Sequence, residues 1–184
     1  MKQTHKTIED LIQVWLRPNP PAYGRLPLSG GISRAFFEGD VLYSYGKHWP
    51  LARRIPERNL VLVCGRRHSN TTTRQMWAVV RGSSAFSSWS HLLVQDVLSP
   101  LTDECEYRFK KIPEGDAKVM ARPTNLRAAA QWFRCRSGQV DFYKIACRIA
   151  RLPATPTPLP EPLLPVYHAC QMRYPELRVP VAVA

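Results

Sequence analysis

No two of the five cysteines form a C-x-x-C pair, and their number is odd. That pattern argues against a disulfide framework and against a structural zinc site, leaving reduced, mostly buried thiols at positions 64, 105, 135, 147 and 170. Long apolar runs are missing as well. No stretch approaches the ~20 residues that a bilayer span needs. The N-terminal "MKQTHKTIEDLIQVWLRPNP" is broken by polar residues where a secretory segment would be continuously apolar. The expected location is the cytoplasm, with no membrane partner. There is no internal repeat, and G-x-x-x-x-G-K-[ST], G-x-S-x-G, H-E-x-x-H and kinase signatures are all absent.

Acid is scarce too. Fourteen Asp and Glu face 26 Lys and Arg, so the 184-residue chain carries a formal charge of +12. Such an excess says nothing about fold, but it attracts nucleic acid or another anionic surface. Five of the fourteen acids fall in "TDECEYRFKKIPEGD" (102–116), which reads as a solvated loop around a short strand and not as a metal site. No metal and no cofactor is expected.

What is present organises into helices, short strands and a proline-rich end. "TIEDLIQVWL" places Ile8, Leu11, Ile12 and Trp15 on one helical face, with Thr7 able to cap and Glu9 and Asp10 favourable in the first turn. Residues 19–35 read as loop. Val41–Tyr45, Leu51–Ile55 and Leu60–Cys64 are strand candidates. A helix is expected after Ser69, with Met76, Val79 and Val80 inward, and "WSHLLVQDVL" reads as another short helix. Residues 124–151 predict a helix pair with Phe142, Ile145, Ala146 and Ile149 inward on the second. From Pro153 the composition breaks into "PATPTPLPEPLLPVY", expected as extended, polyproline-like chain. The expectation is therefore an α+β fold: a small antiparallel sheet over 40–66 packed with helices as a single domain over 1–152, plus a proline-rich extended appendage over 153–184.

Three stretches carry candidate chemistry. "GRRHSNTTTRQMWAVVR" (65–81) has four arginines and no acid. A strand, a Gly-Arg-Arg turn and a hydroxyl-rich helix start make an anion grip, with Arg66, Arg67 and Arg74 as forked donors and His68, Ser69, Thr71, Thr72 and Thr73 beside them. The competing reading is a helix merely capped by these hydroxyls, with solvated arginines. Residues 117–151 hold eight Lys or Arg against Asp141 alone. Arg127, Arg134, Lys144, Arg148 and Arg151 would form a second basic face. The spacing around Gly138 fits helix-turn-helix poorly, because Arg134 and Lys144 fall where small or apolar residues belong. "YSYGKHW" (43–49) offers Tyr45 and His48 for stacking on unpaired bases, against core packing of the same rings.

"SYGKHWPLA" (44–52) and "SNTTTRQ" (69–75) together resemble paired motifs of short phage and plasmid proteins, S-Y-G-x-H-x-P-x-A and S-x-T-T-x-R-H, with Gln75 in place of the final histidine. The resemblance spans about residues 40–80. It implies a mobile-element origin and an accessory role, and it carries no activity with it. The expected function is a basic, non-catalytic nucleic-acid-binding accessory protein. Its partner would be DNA, RNA or a ribonucleoprotein, with a protein partner for the proline-rich tail. Two alternatives stay open: a module docking on a nucleoprotein complex such as a defence system, and a metal-independent phosphodiesterase. The latter would use His48 or His68 as acid/base and Arg74 to stabilise charge.

Overall fold

The computed structural model describes residues 3–66, 69–85, 89–94, 97–98, 140–151 and 164–177. The chain divides into two compact units, Met1–Val94 and Gln95–Ala184. The fold is α+β.

The first unit is built on a seven-stranded mixed sheet with the order β1-β2-β5-β6-β7-β8-β9. Its strands are β1 (Gln3–Thr4), β2 (Tyr23–Arg25), β5 (Ala35–Glu38), β6 (Val41–Ser44), β7 (Pro50–Ile55), β8 (Leu60–Cys64) and β9 (Ser90–Val94). A small separate hairpin, β3 (Leu28–Ser29) with β4 (Ile32–Ser33), interrupts the path from β2 to β5. Helix α1 (Ile8–Trp15) links β1 to a parallel β2, and α2 (Asn70–Ala85) links β8 to a parallel β9. Between β2 and β8 every pairing is antiparallel. Those four reversals return β8 to the direction of β2. Both crossovers then step the same way across the sheet, and two right-handed crossovers of that kind place their helices on one face. Helices α1 and α2 accordingly pack on each other and on the sheet.

The local chemistry supports this path. Thr7 and Asp10 form a reciprocal capping box at the start of α1, with N–H to oxygen distances of 3.1 and 3.2 Å. Gly39 turns β5 into β6 in a two-residue loop whose first central residue has φ 54°, the conformation a primed hairpin turn needs. Gly24 lies opposite Phe37, and a Cβ there would meet the phenyl ring at 2.5 Å, so the glycine makes room for a fully buried aromatic. Leu11, Ile12 and Trp15 from α1, Phe37, Leu42 and Val63 from the sheet, and Met76 and Val79 from α2 close one core. On the other face of β2, β5 and β6, Phe36 stacks on its cross-strand partner Tyr43 at 5.1 Å, with Tyr23 6.0 Å beyond.

The sheet is wider than residues 40–66 and carries parallel edges. Residues 19–35, expected as loop, supply β2, β3, β4 and the start of β5. These strands are only two to four residues long, and their pairing comes from tertiary neighbours that no local pattern announces. "SHLLV" is β9 and not a helix, because a short apolar run fits either structure and here it pairs in parallel with the fully buried β8.

In the second unit β10 (Val97–Leu98) pairs antiparallel with β11 (Val140–Asp141). Helix α3 (Phe142–Ile149) follows and packs against α4 (Leu164–Arg173), which ends in a 3-10 turn at Pro175–Leu177. Phe142, Ile145, Ala146 and Ile149 are buried as expected, and Tyr143 joins them. Leu164–Arg173 is helical where extended chain was expected, since Pro165 stands in the first turn, where its missing N–H has no helical partner to lose. The remainder of the proline-rich stretch, 152–163, lies outside the described residues, as does the first helix of the expected pair. Cys64, Cys147 and Cys170 are thiols. No helix among the described residues is long and apolar enough to cross a membrane.

Candidate functional site

The corner between β6 and β7 is folded tightly. Gly46 N–H donates to the Ser44 carbonyl at 2.7 Å across Tyr45, whose φ is 59°. A three-residue turn with positive φ at its apex is rare and strained for a residue bearing a side chain. Trp49 N–H then donates to the Gly46 carbonyl at 3.0 Å, and Ser44 N–H to the Trp49 carbonyl at 2.9 Å, closing the corner. A Cβ on Gly46 would lie 2.7 Å from the His48 imidazole. The glycine two residues before the histidine is what lets that ring fold back over the backbone. Tyr45 is left 44% exposed at the apex.

Helix α2 begins beside this corner. Ser69 is its N-cap: its Oγ accepts from Thr72 N–H at 3.1 Å, and its carbonyl accepts from Thr73 N–H at 2.9 Å. Ser69 and Thr72 hydroxyls also pair at 3.0 Å. The capping role thus falls to Ser69, while Thr71 stands half-buried at the side.

A buried clasp ties corner to helix. Ser44 Oγ donates to Gln75 Oε1 at 2.7 Å, and Gln75 Nε2 donates to the Arg34 carbonyl at 2.8 Å. The same carbonyl accepts from Tyr45 N–H at 3.2 Å. Both side chains of the clasp are buried. Between corner and helix start lies a cleft of about 370 Å³ lined by Ser44, Tyr45, His48, Trp49, Ser69, Thr71 and Thr72. Among the described residues its lining holds hydroxyls, three aromatic rings and no acid. Arg66 extends over the Trp49 ring, 5.9 Å from the centroid. At the back of the corner Lys47 forms an ion pair with Glu38, whose hydrogen bond and charge raise the ammonium pKa.

The structure therefore brings Tyr45 and His48 together with Ser69, Thr71 and Thr72, two stretches that the sequence presents separately. Thr73 is half-buried on α2, outside the cleft lining. Arg74 also points elsewhere: it is exposed on the outer face of α2. Arg67, His68, Arg127 and Arg134 lie outside the described residues. In the second unit Arg148 and Arg151 are exposed and Lys144 is half-buried on or just after α3. Ser44 and Trp77 were not singled out by sequence reasoning, Trp49 entered only as part of the aromatic stretch 43–49, and Gln75 only as the residue in place of a motif histidine. The serine and the glutamine both stand inside the motif pair, and their proximity needed the fold.

Chemically, the cleft offers hydroxyl and helix-start donors to an oxygen-rich anion and ring faces to a flat group. Acid–base cleavage needs two proton-handling groups in reach of one bond. The described lining supplies the His48 imidazole and the Tyr45 phenol. No group of three His, Cys, Asp or Glu that could hold a metal occurs among the described residues. Comparison with protein-family models, curated proteins and solved structures returned no match for this chain.

Proposed function

We propose that the chain is a basic, non-catalytic nucleic-acid-binding accessory protein of a phage or plasmid, acting in the cytoplasm. The observation that carries the reading is the meeting of Tyr45, His48 and Trp49 with the hydroxyl-rich start of an acid-free helix around one cleft. A nucleotide presents a phosphate and a flat base within one residue, and this lining offers donors for the first and rings for the second. The +12 charge supplies the long-range attraction. The mobile-element origin rests on the resemblance of residues 44–52 and 69–75 alone.

Fluorescence polarisation with single- and double-stranded DNA and RNA, at low and moderate salt, tests this. Binding should weaken steeply with salt, because each neutralised phosphate releases counterions. His48→Ala and Thr71→Ala should weaken it without loss of fold. Absence of binding to all four nucleic acids at low salt would overturn the proposal.

A further inference from the structure

Helix α2 buries Thr72, Gln75, Met76, Val79 and Ser83, so its opposite face looks to solvent. That outer face carries Arg74, Trp77 and Arg81 at i, i+3 and i+7, one continuous stripe. Trp77 is 42% exposed, although indole is among the costliest side chains to leave in water. None of the ion pairs, hydrogen bonds or ring contacts among the described residues engages Arg74, Trp77 or Arg81. The helix contains no acidic residue at all. An unpaired cation, an open indole face and a second unpaired cation follow one another over about 10 Å of helix axis.

We propose that this stripe is a docking track for single-stranded nucleic acid, with one base stacked on Trp77 and the flanking phosphates held by Arg74 and Arg81. The proposal rests on the nucleic-acid reading above and names the form of the partner. Charge complementarity selects a polyanion. The indole between the arginines selects unpaired bases, because a duplex keeps its base faces stacked inside and offers only groove edges and phosphates. A protein partner with an acidic surface would match the arginines but leave the ring without a flat counterpart.

The test compares an oligothymidylate with a duplex of equal length by polarisation across a salt series. Trp77→Ala should weaken single-strand binding roughly ten-fold, as loss of one base–aromatic stack of ~1–3 kcal/mol implies. It should leave the salt slope and duplex binding unchanged, and Trp77→Phe should retain most of the affinity. Arg74→Ala and Arg81→Ala should each reduce the single-strand salt slope by about 0.7. Oligothymidylate should quench tryptophan emission of the wild type more than that of Trp77→Phe. Single-strand binding that survives Trp77→Ala undiminished, or falls in step with duplex binding, overturns the track while leaving the nucleic-acid reading standing. Failure of every oligonucleotide to bind at low salt overturns both.

Discussion

Arg54, next to the last residue of β7, is 6% exposed, and its guanidinium ties three segments together. Its Nη1 donates to the carbonyls of Trp15 and Arg17 at 2.7 and 2.9 Å, at and just past the end of α1. Its Nε and Nη2 donate to Asp40 Oδ1 at 3.2 and 2.7 Å, in the β5–β6 turn. The Trp15 and Trp89 rings lie 5.9 and 5.6 Å from its central carbon. Replacement by leucine tests what this cation contributes. Apolar substitution of a buried ion pair is often neutral or stabilising, since both desolvation penalties vanish. Here the acceptors decide otherwise. The Asp40 side chain is 46% exposed and regains water, so that half contributes little. The Trp15 carbonyl belongs to a fully buried residue and cannot be replaced, and leaving it unpaired costs about 1–3 kcal/mol. With the cation–π contacts, each about 0.5–2 kcal/mol, partly offset by the leucine's own burial, the net loss should be about 3 kcal/mol. Arg54→Lys keeps the charge and one carbonyl bond but loses the fork, and should cost less than the leucine. Urea denaturation followed by near-UV circular dichroism of the tryptophans reads both as shifts in midpoint at constant slope. An Arg54→Leu protein within 1 kcal/mol of wild type, or more stable than it, would refute the reasoning.

Gly82→Ala should destabilise by about 1–2 kcal/mol despite alanine's better helix propensity, because the new Cβ lies 2.7 Å from Ile12 Cγ2 where α1 and α2 cross; Ile12→Leu in the same chain, which lacks that branch methyl at similar volume, should recover part of the loss in a urea titration. Gln75→Leu strands the Ser44 hydroxyl and should cost about 1–3 kcal/mol, whereas Gln75→His keeps an acceptor and a donor and should cost less in the same thermal melt. Ser69→Ala removes the N-cap and should cost about 1 kcal/mol. Thr71→Ala should stay within about 0.5 kcal/mol, so any effect of it on oligonucleotide affinity reports the cleft and not the helix.

The elements that sequence reading located are those with a complete local signal. Thr7 with Asp10, the apolar spacing of Leu11, Ile12 and Trp15, and the continuous "LVLVC" of β8 each specify their structure without outside help. Strands such as Tyr23–Arg25 carry no such signal: three residues with a central glycine become a strand by pairing with β1 and β5, and the bare glycine makes room for Phe37. The arginines show the same division. All are equivalent donors in a charge count, yet Arg54 is a buried clasp, Arg66 lies on Trp49, and Arg74 stands in solvent. Burial depends on neighbours distant in sequence, so charge density does not assign each cation its task. The stretches "SYGKH" and "SNTTTRQ" stand apart in the sequence, and the Ser44–Gln75 bond that joins them was not legible there.

Tyr45 offers the means to separate a functional ring from a structural one. Its positive φ costs about 1–2 kcal/mol relative to glycine in the same conformation. Its ring is nearly half exposed and returns only part of that in burial. Tyr45→Gly should therefore relieve the turn, offset in part by the ~0.4–1 kcal/mol of extra freedom that glycine brings to the unfolded chain. The net expectation is a protein at least as stable as wild type. Tyr45→Ala keeps the unfavourable backbone and loses the ring, so it should be the less stable of the two. If the ring stacks on a ligand at the cleft, both variants lose affinity for oligonucleotides to the same extent, although their stabilities move apart. Binding that tracks stability would mean that the turn matters and the ring does not. A Tyr45→Gly protein markedly less stable than wild type would show that the tyrosine earns its place by packing, and the strain would then have no functional explanation.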